Sequence, residues 1–352
     1  MPAWKKLITV LLFSNLSLIF FLSMNIDKIN ERINSIKTSY PMYDELLTFF
    51  EKIVTKQYEF KPQISIGSFV PDIEESKAKK KIEECIPLLE DEEFEIDFSS
   101  TSQLFDALGE IAKSQNKHLR DEIQKIERTL KKQNLKSPTT VPKESRSMIL
   151  RNGVGLQEEL FHKVAHNNLD YIDKISNEFS LNKEVLTLLT LNSVKPSIEL
   201  IAHRLKNLVN MESWSGISCP ICGSPPAISF LRGEEGRRIL SCSFCSTEWQ
   251  GRRMICYHCG NSEYQTLRYF YTQEDDNSLP PVAEVAKLRS RNCQTSGEEE
   301  KYRIDVCDKC KHYLKTFDSR KFDGEIIPPV EDIATLHLDI LAAGEGYKRI
   351  DD

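Results

Sequence analysis

The chain has 352 residues, 40% of them hydrophobic, which is apolar material for two or three ordinary domains; its cysteines are not there to compensate for a missing core. With 47 basic and 53 acidic residues the net charge is −6, which excludes a generally basic nucleic-acid binder but leaves room for a local basic patch. Ten cysteines are present, and nine of them fall between Cys219 and Cys310, a clustering that scattered core thiols do not produce.

In chain order, Lys5 and Lys6 precede a mostly apolar run from Leu7 to Ile26, long enough for a bilayer span although Thr9, Ser14, Asn15, Ser17 and Ser23 dilute it. Residues 1–26 therefore carry three open readings: a membrane anchor, a start codon placed too early with Met24 as the start, and a buried helix or signal peptide. A cleaved signal fits least, because no Ala-x-Ala-like site follows. From Ile26 the residues Ile26, Ile29, Ile33 and Ile36 recur at helical spacing until Pro41, and a second helix carrying Leu46, Leu47, Phe50, Ile53 and Val54 runs out before Pro62. Ser76 to Cys85 reads as helical up to Pro87, and the acidic run Glu90 to Asp97 as a solvated connection. Leu104, Leu108, Ile111, Leu119, Ile123, Ile126 and Leu130 predict a long helix or a helical hairpin, with Ser102 available as its cap.

Lys131 to Ser147, with Pro138 and Pro142, reads as a linker. Apolar stripes return over Leu160 to Ile175, Lys183 to Leu191 and Pro196 to Val209, where Pro196 suits a first helical turn. Nothing from 27 to 212 alternates like a sheet, so this stretch is predicted to be an all-helical domain. His162 and His166 stand one turn apart, but no Glu sits beside His162 to complete a His-Glu-x-x-His motif, so they and His203 read as helix surface.

After Trp214 the texture changes to Gly, Pro, Cys and short β-prone pieces such as Ile239 to Leu240 and Leu267 to Tyr271. The cysteines form four pairs: Cys219/Cys222, Cys242/Cys245, Cys256/Cys259 and Cys307/Cys310. Two intervening residues let both thiolates of a tight turn face one ion, and two such turns complete a tetrahedron. Nineteen residues separate Cys222 from Cys242, within the spacing of a structural metal site, and 47 separate Cys259 from Cys307. Sequential pairing closes the shorter loops, and spacing also leaves a crossed arrangement open. Gly223 and Gly260 follow the second cysteine of a pair, where a knuckle turns sharply. That favours metal knuckles over disulfides or a redox dithiol, and thiolates kept for metal point to a reducing compartment.

Eight ligands predict two metal ions, with zinc and iron equally suited. Cys293 in the long 260–306 loop reads as a spare thiol, Cys85 as a small core or surface residue, and His258 and His312 as bystanders. The tail from Val330 to Tyr347 returns to helical spacing through Ile333, Leu336, Leu338 and Leu341.

The runs CPICGSPP from Cys219 and CSFCSTEW from Cys242, then Arg253, CYHC at Cys256, CDKCKHYLK from Cys307 and EDIATLHLDILAAGEGYKR from Glu331, resemble the formate dehydrogenase accessory proteins of the FdhE family. The resemblance covers roughly Cys219 to Arg349. It implies an α+β chain in which an all-helical N-terminal domain (27–212) is followed by two small rubredoxin-like or zinc-ribbon modules (213–255 and 256–328) and a C-terminal helix and tail (329–352). It further implies a non-enzymatic maturation factor, a cytoplasmic chaperone for the catalytic subunit of formate dehydrogenase, with iron associated with its cysteine modules. Held by the 7–26 run, such a protein would sit at the inner face of the membrane.

In that family setting Thr247, Glu248 and Trp249 are candidates for a partner surface, or Trp249 for the core of its module. Two other functions compete. Arg232, Arg237, Arg238, Arg252 and Arg253 suggest a zinc-ribbon nucleic-acid binder, although no aromatic stacking platform accompanies them. Bound iron with a reversible couple would make a rubredoxin-like electron carrier. The residues suggest no oligomeric state.

Overall fold

The computed structural model describes residues 26–65, 70–134, 155–211, 213–271, 289–292, 301–322 and 326–350. The apolar run from Leu7, the alternative start at Met24, most of the 131–147 linker and Cys293 lie outside them.

The helical reading of residues 27–212 holds among the described residues. Helices α1 (Ile26–Ser39), α2 (Asp44–Phe60), α3 (Glu75–Glu83), α4 (Phe98–Lys113), α5 (Lys117–Asn134), α6 (Leu156–Ala165), α7 (Asp170–Phe179) and α8 (Lys183–Leu205) follow in order, with no strand among the described residues there. Among the described residues two compact units emerge, one drawn from Met1–Thr48, Asp72–Glu90 and Ala202–Asp352, the other from Phe49–Pro71 and Asp91–Ile201.

In the second unit α4 and α5 form a hairpin. The cap of α4 is not Ser102, which lies inside the helix, but Asp97, whose carboxylate accepts from the Ser100 N–H at 3.0 Å and the Ser65 N–H at 3.1 Å. An aspartate there satisfies an otherwise orphan amide and is worth about 1 kcal/mol. Pro196 is likewise not at a helix start but in the middle of α8. A proline cannot donate to the carbonyl four residues back. That carbonyl belongs to Asn192, and the buried Gln57 amide takes the vacant place, donating to it at 2.7 Å. A buried Lys61–Glu199 ion pair at 2.6 Å flanks it. Among the described residues one helix, Lys183–Leu208, is long and apolar enough to cross a membrane, and 89% of its apolar window is buried within the protein.

The first unit is built on one sheet. Strands β1 (Pro226–Arg232), β2 (Arg237–Cys242), β3 (Glu248–Gln250), β4 (Leu267–Tyr271), β5 (Arg289–Asn292), β6 (Tyr302–Cys307), β7 (His312–Asp318) and β8 (Lys348–Arg349) run in the order β3-β2-β1-β7-β6-β4-β5, with β8 on β7. The two cysteine modules are thus not separate beads. β1 of the first pairs in parallel with β7 of the second, in register Ile228↔Lys315 to Leu231↔Asp318.

The C-terminal helix resolves into two, α9 (Pro328–Ala334) and α10 (Leu336–Gly344), broken at Thr335, whose hydroxyl donates to the Glu331 carbonyl at 2.8 Å. They cover Phe270, Ile304, Val306 and Tyr313 with Leu338 and Ala342. Beneath lies a buried charge cluster: Lys315 pairs with Asp332 and, at 2.7 Å, with Asp339, and Arg349 reaches Asp332 at 3.0 Å. Burial alone would raise the Asp332 carboxyl, yet the charges of Arg349 and Lys315 hold it below its usual value. Arg32 on α1 closes the assembly on buried Glu331 at 2.6 Å.

Candidate metal centres

The four knuckles share a positive-φ turn, and three of them close it with the same backbone hydrogen bond. The N–H four residues after the first cysteine donates back to that cysteine's carbonyl: Gly223 to Cys219, Gly260 to Cys256 and Lys311 to Cys307, at 2.8 to 3.0 Å. The residue after each second cysteine, namely Gly223, Ser246, Gly260 or Lys311, takes a positive φ between 59° and 79°. Glycine enters that region without the steric cost that Ser246 and Lys311 bear.

These turns bring the sulfurs together as two sets, Cys219, Cys222, Cys242 and Cys245 in one and Cys256, Cys259, Cys307 and Cys310 in the other. Pairing is sequential. In the first set Sγ–Sγ distances are 3.5 Å (Cys219–Cys245) and 3.4 Å (Cys222–Cys242), and in the second 3.6 Å (Cys256–Cys310) and 3.9 Å (Cys259–Cys307). A tetrahedron with metal–sulfur bonds of the usual length has edges of about 3.8 Å, so both sets fit a four-coordinate ion. The donor chemistry agrees. The Phe244 and Cys245 N–H groups both donate to Cys242 Sγ at 3.3 Å, and the Asn261 amide to Cys307 Sγ at 3.5 Å, hydrogen bonds that favour thiolate.

Burial pushes the Cys219 and Cys245 thiols up; at Cys222 burial is outweighed by hydrogen bonds from the other three sulfurs and Ser224, which hold it well below the ordinary thiol value. In the second set burial pushes Cys256 up to about 11 and raises Cys310. Cys307 is lowered, because the Cys310 N–H and the Asn261 amide overcome its burial. Metal ligation needs every sulfur as thiolate, so a divalent ion entering either set would release protons.

The sets are clamped differently. The N–H groups of Leu88 and Leu89 donate to the Pro220 and Ile221 carbonyls inside the first knuckle at 2.9 and 2.8 Å. Cys219, Cys242 and Cys245 are buried and Cys222 half-buried. In the second set Cys259 is exposed and Cys310 half-buried. Its clamp is Asp308, inside the last knuckle, which takes both arms of Arg268 at 2.7 and 2.8 Å and the hydroxyl of Tyr347. Those partners, Arg268 foremost, hold the Asp308 carboxyl far below its usual range.

The structure also places the other residues singled out above. His258 and His312 stack face to face with centroids 3.5 Å apart and bring ring nitrogens within 4.8 Å of Cys310 Sγ. Trp249 is buried inside its module and offers no partner surface. The arginines proposed for phosphate are largely engaged: Arg232 with Glu248 at 2.8 Å, Arg237 near Glu235 at 3.7 Å, buried Arg238 with Asp305, and Arg253 with the Gly236 carbonyl at 2.7 Å. Cys85 is exposed, 3.1 Å from the Ser215 hydroxyl. Composition could not reveal the Asp308 clamp, because Arg268 and Tyr347 come from distant segments.

Family models for the FdhE central domain and the FdhE C-terminal domain match residues 218–253 and 254–351. An FdhE homolog of Aquifex aeolicus is 29% identical over 201 residues, 56% of this chain and 62% of the relative. An FdhE homolog of Pseudomonas aeruginosa is 35% identical over 142 residues, 40% of this chain and 39% of the relative, and FdhE of Escherichia coli 31% over 133 residues, 37% and 35%. The matches span less than two thirds of each of these relatives. The crystal structure of the FdhE protein from Pseudomonas aeruginosa superposes over 97% of this chain and 95% of its own with a TM-score of 0.54 at 19% identity, a shared fold.

Proposed function

Because this chain belongs to the FdhE family, we propose that it is a non-catalytic maturation factor that binds the catalytic subunit of formate dehydrogenase and is required for that enzyme's activity. The observation that carries this reading is the pair of four-sulfur centres, one inside each matched family domain. The eight cysteines Cys219, Cys222, Cys242, Cys245, Cys256, Cys259, Cys307 and Cys310 would hold two ions, zinc or iron, whose contribution when bound is to fix the knuckles. Four sulfurs around each ion leave no open position for a substrate, which fits a binding role better than turnover.

A client awaiting export and thiolates kept reduced both favour a cytoplasmic protein, at the inner face of the membrane if the 7–26 run anchors it. The engaged arginines weaken the nucleic-acid reading. Deleting the gene should abolish formate oxidation while the enzyme's polypeptide persists, and a form starting at Met24 should restore it. The catalytic subunit should also co-purify with the tagged protein. Normal formate oxidation in the deletion strain would overturn the proposal.

A further inference from the structure

The helical unit holds a second kind of donor set, unrelated to the cysteines. His162 and His166 lie at the C-terminal end of α6 with their rings stacked, centroids 4.2 Å apart, and Phe94 stacks on the outer face of His166 at 4.1 Å. Glu93, next to Phe94, completes the group: one donor atom from each of Glu93, His162 and His166 lies within 4.8 Å of the others. The sequence offered the two histidines but no Glu directly after His162; the fold supplies a carboxylate from the connection before α4.

The tautomer of His166 is fixed by its surroundings. Its Nδ1 lies 2.8 Å from the His162 carbonyl, which can only accept, so Nδ1 carries the proton and Nε2 keeps a bare lone pair. That Nε2 is buried and has no hydrogen-bond partner. An imidazole whose far nitrogen is anchored on a backbone carbonyl while the near one is bare is the arrangement in which histidine ligates metals. The local field favours a cation twice over, through the negative end of the α6 dipole and through carboxylates, since Glu95 Oε1 also lies 4.0 Å from His162 Nε2. Glu93 is exposed, which gives an ion a way in from solvent.

We propose that Glu93, His162 and His166 form a third metal site, for a divalent first-row transition ion that prefers imidazole and carboxylate donors. Two nitrogens and a carboxylate leave coordination positions open to water or to Glu95, unlike the closed four-sulfur sets. This site stands apart from the maturation role and does not depend on it.

The test uses the full chain with both cysteine sites already loaded, and Ni²⁺ as the added ion. One further equivalent of Ni²⁺ should be retained after desalting, with a nitrogen- and oxygen-bound shell by X-ray absorption at the nickel edge. Glu93→Gln, an exposed change that leaves the ring stack intact, should weaken that binding about tenfold or more, since even an outer-shell partner of a ligand is worth as much. His166→Ala should abolish it while the two sulfur-bound ions and the helical circular dichroism remain. If the wild-type chain retains no nickel, or if both variants retain it as the wild type does, the three residues are a packing stack and the proposal fails.

Discussion

The two four-sulfur centres occupy opposite halves of one sheet and use the same turn, yet they are closed by different physics. The first is sealed by backbone. Leu88 and Leu89 donate into its knuckle and three of its four cysteines are buried. The second is held by side chains, through Asp308, Arg268 and Tyr347, and shows Cys259 to solvent. Main-chain hydrogen bonds in a buried setting open only with the fold, whereas a half-exposed ionic clamp can open alone. On that contrast the first centre is expected to be structural and the second to respond to its surroundings.

The largest effect should come from removing thiolates. Cys242→Ser with Cys245→Ser would remove two ligands of the proposed structural ion, and binding of such an ion supplies folding free energy on the order of 10 kcal/mol in small domains. New proteolytic cuts between Trp214 and Phe322, with residues 155–201 still protected, are the expected outcome. Cys256→Ser with Cys259→Ser should confine its cuts to the β4–β7 half. Equal damage from the two pairs would erase the distinction.

A pH effect should separate the halves next. His337 on α10 is 5% exposed with neither ring nitrogen hydrogen-bonded, and burial together with the charge of Lys315 lowers its pKa to about 3. The unfolded chain, with a histidine pKa of about 6.5, takes up a proton that the native state refuses, so stability falls as pH drops from about 6.5 toward 3. Relative to pH 7.5 the loss at pH 5 should be about 2 kcal/mol by urea unfolding. His337→Leu should flatten that dependence; an unchanged slope would place the acid sensitivity elsewhere.

The finest cut is Tyr347→Phe, which removes one hydroxyl from the Asp308 clamp. Metal transfer to a chromogenic chelator should quicken about tenfold at the second centre and stay unchanged at the first, a size typical of losing an outer-shell partner. Equal rates at both centres would show that the clamp does not govern release.

Much of this was legible in the chain. Four Cys-x-x-Cys pairs, with Gly223 and Gly260 behind two of them, announced the knuckles because that chemistry is local. Helical periodicity likewise located α1 and α2. The misses share one cause, since each depends on residues far apart in sequence. Pro196 looked like a helix start because nothing nearby shows that Gln57 would satisfy the Asn192 carbonyl. Ser102 looked like a cap because the competing Asp97 stood inside an acidic run. The fusion of two modules into one sheet rests on the parallel pairing of Ile228 with Lys315, which no turn signal encodes.

Two ions in four-sulfur cages are the centre of the account, and elemental analysis joined to X-ray absorption tests them directly. The measurement belongs in a Glu93→Gln/His166→Ala background, so that imidazole ligation does not contribute. Two ions per chain, each with four sulfurs at about 2.3 Å, are the expected result. One ion per fully loaded chain, or an oxygen-rich shell, would contradict it.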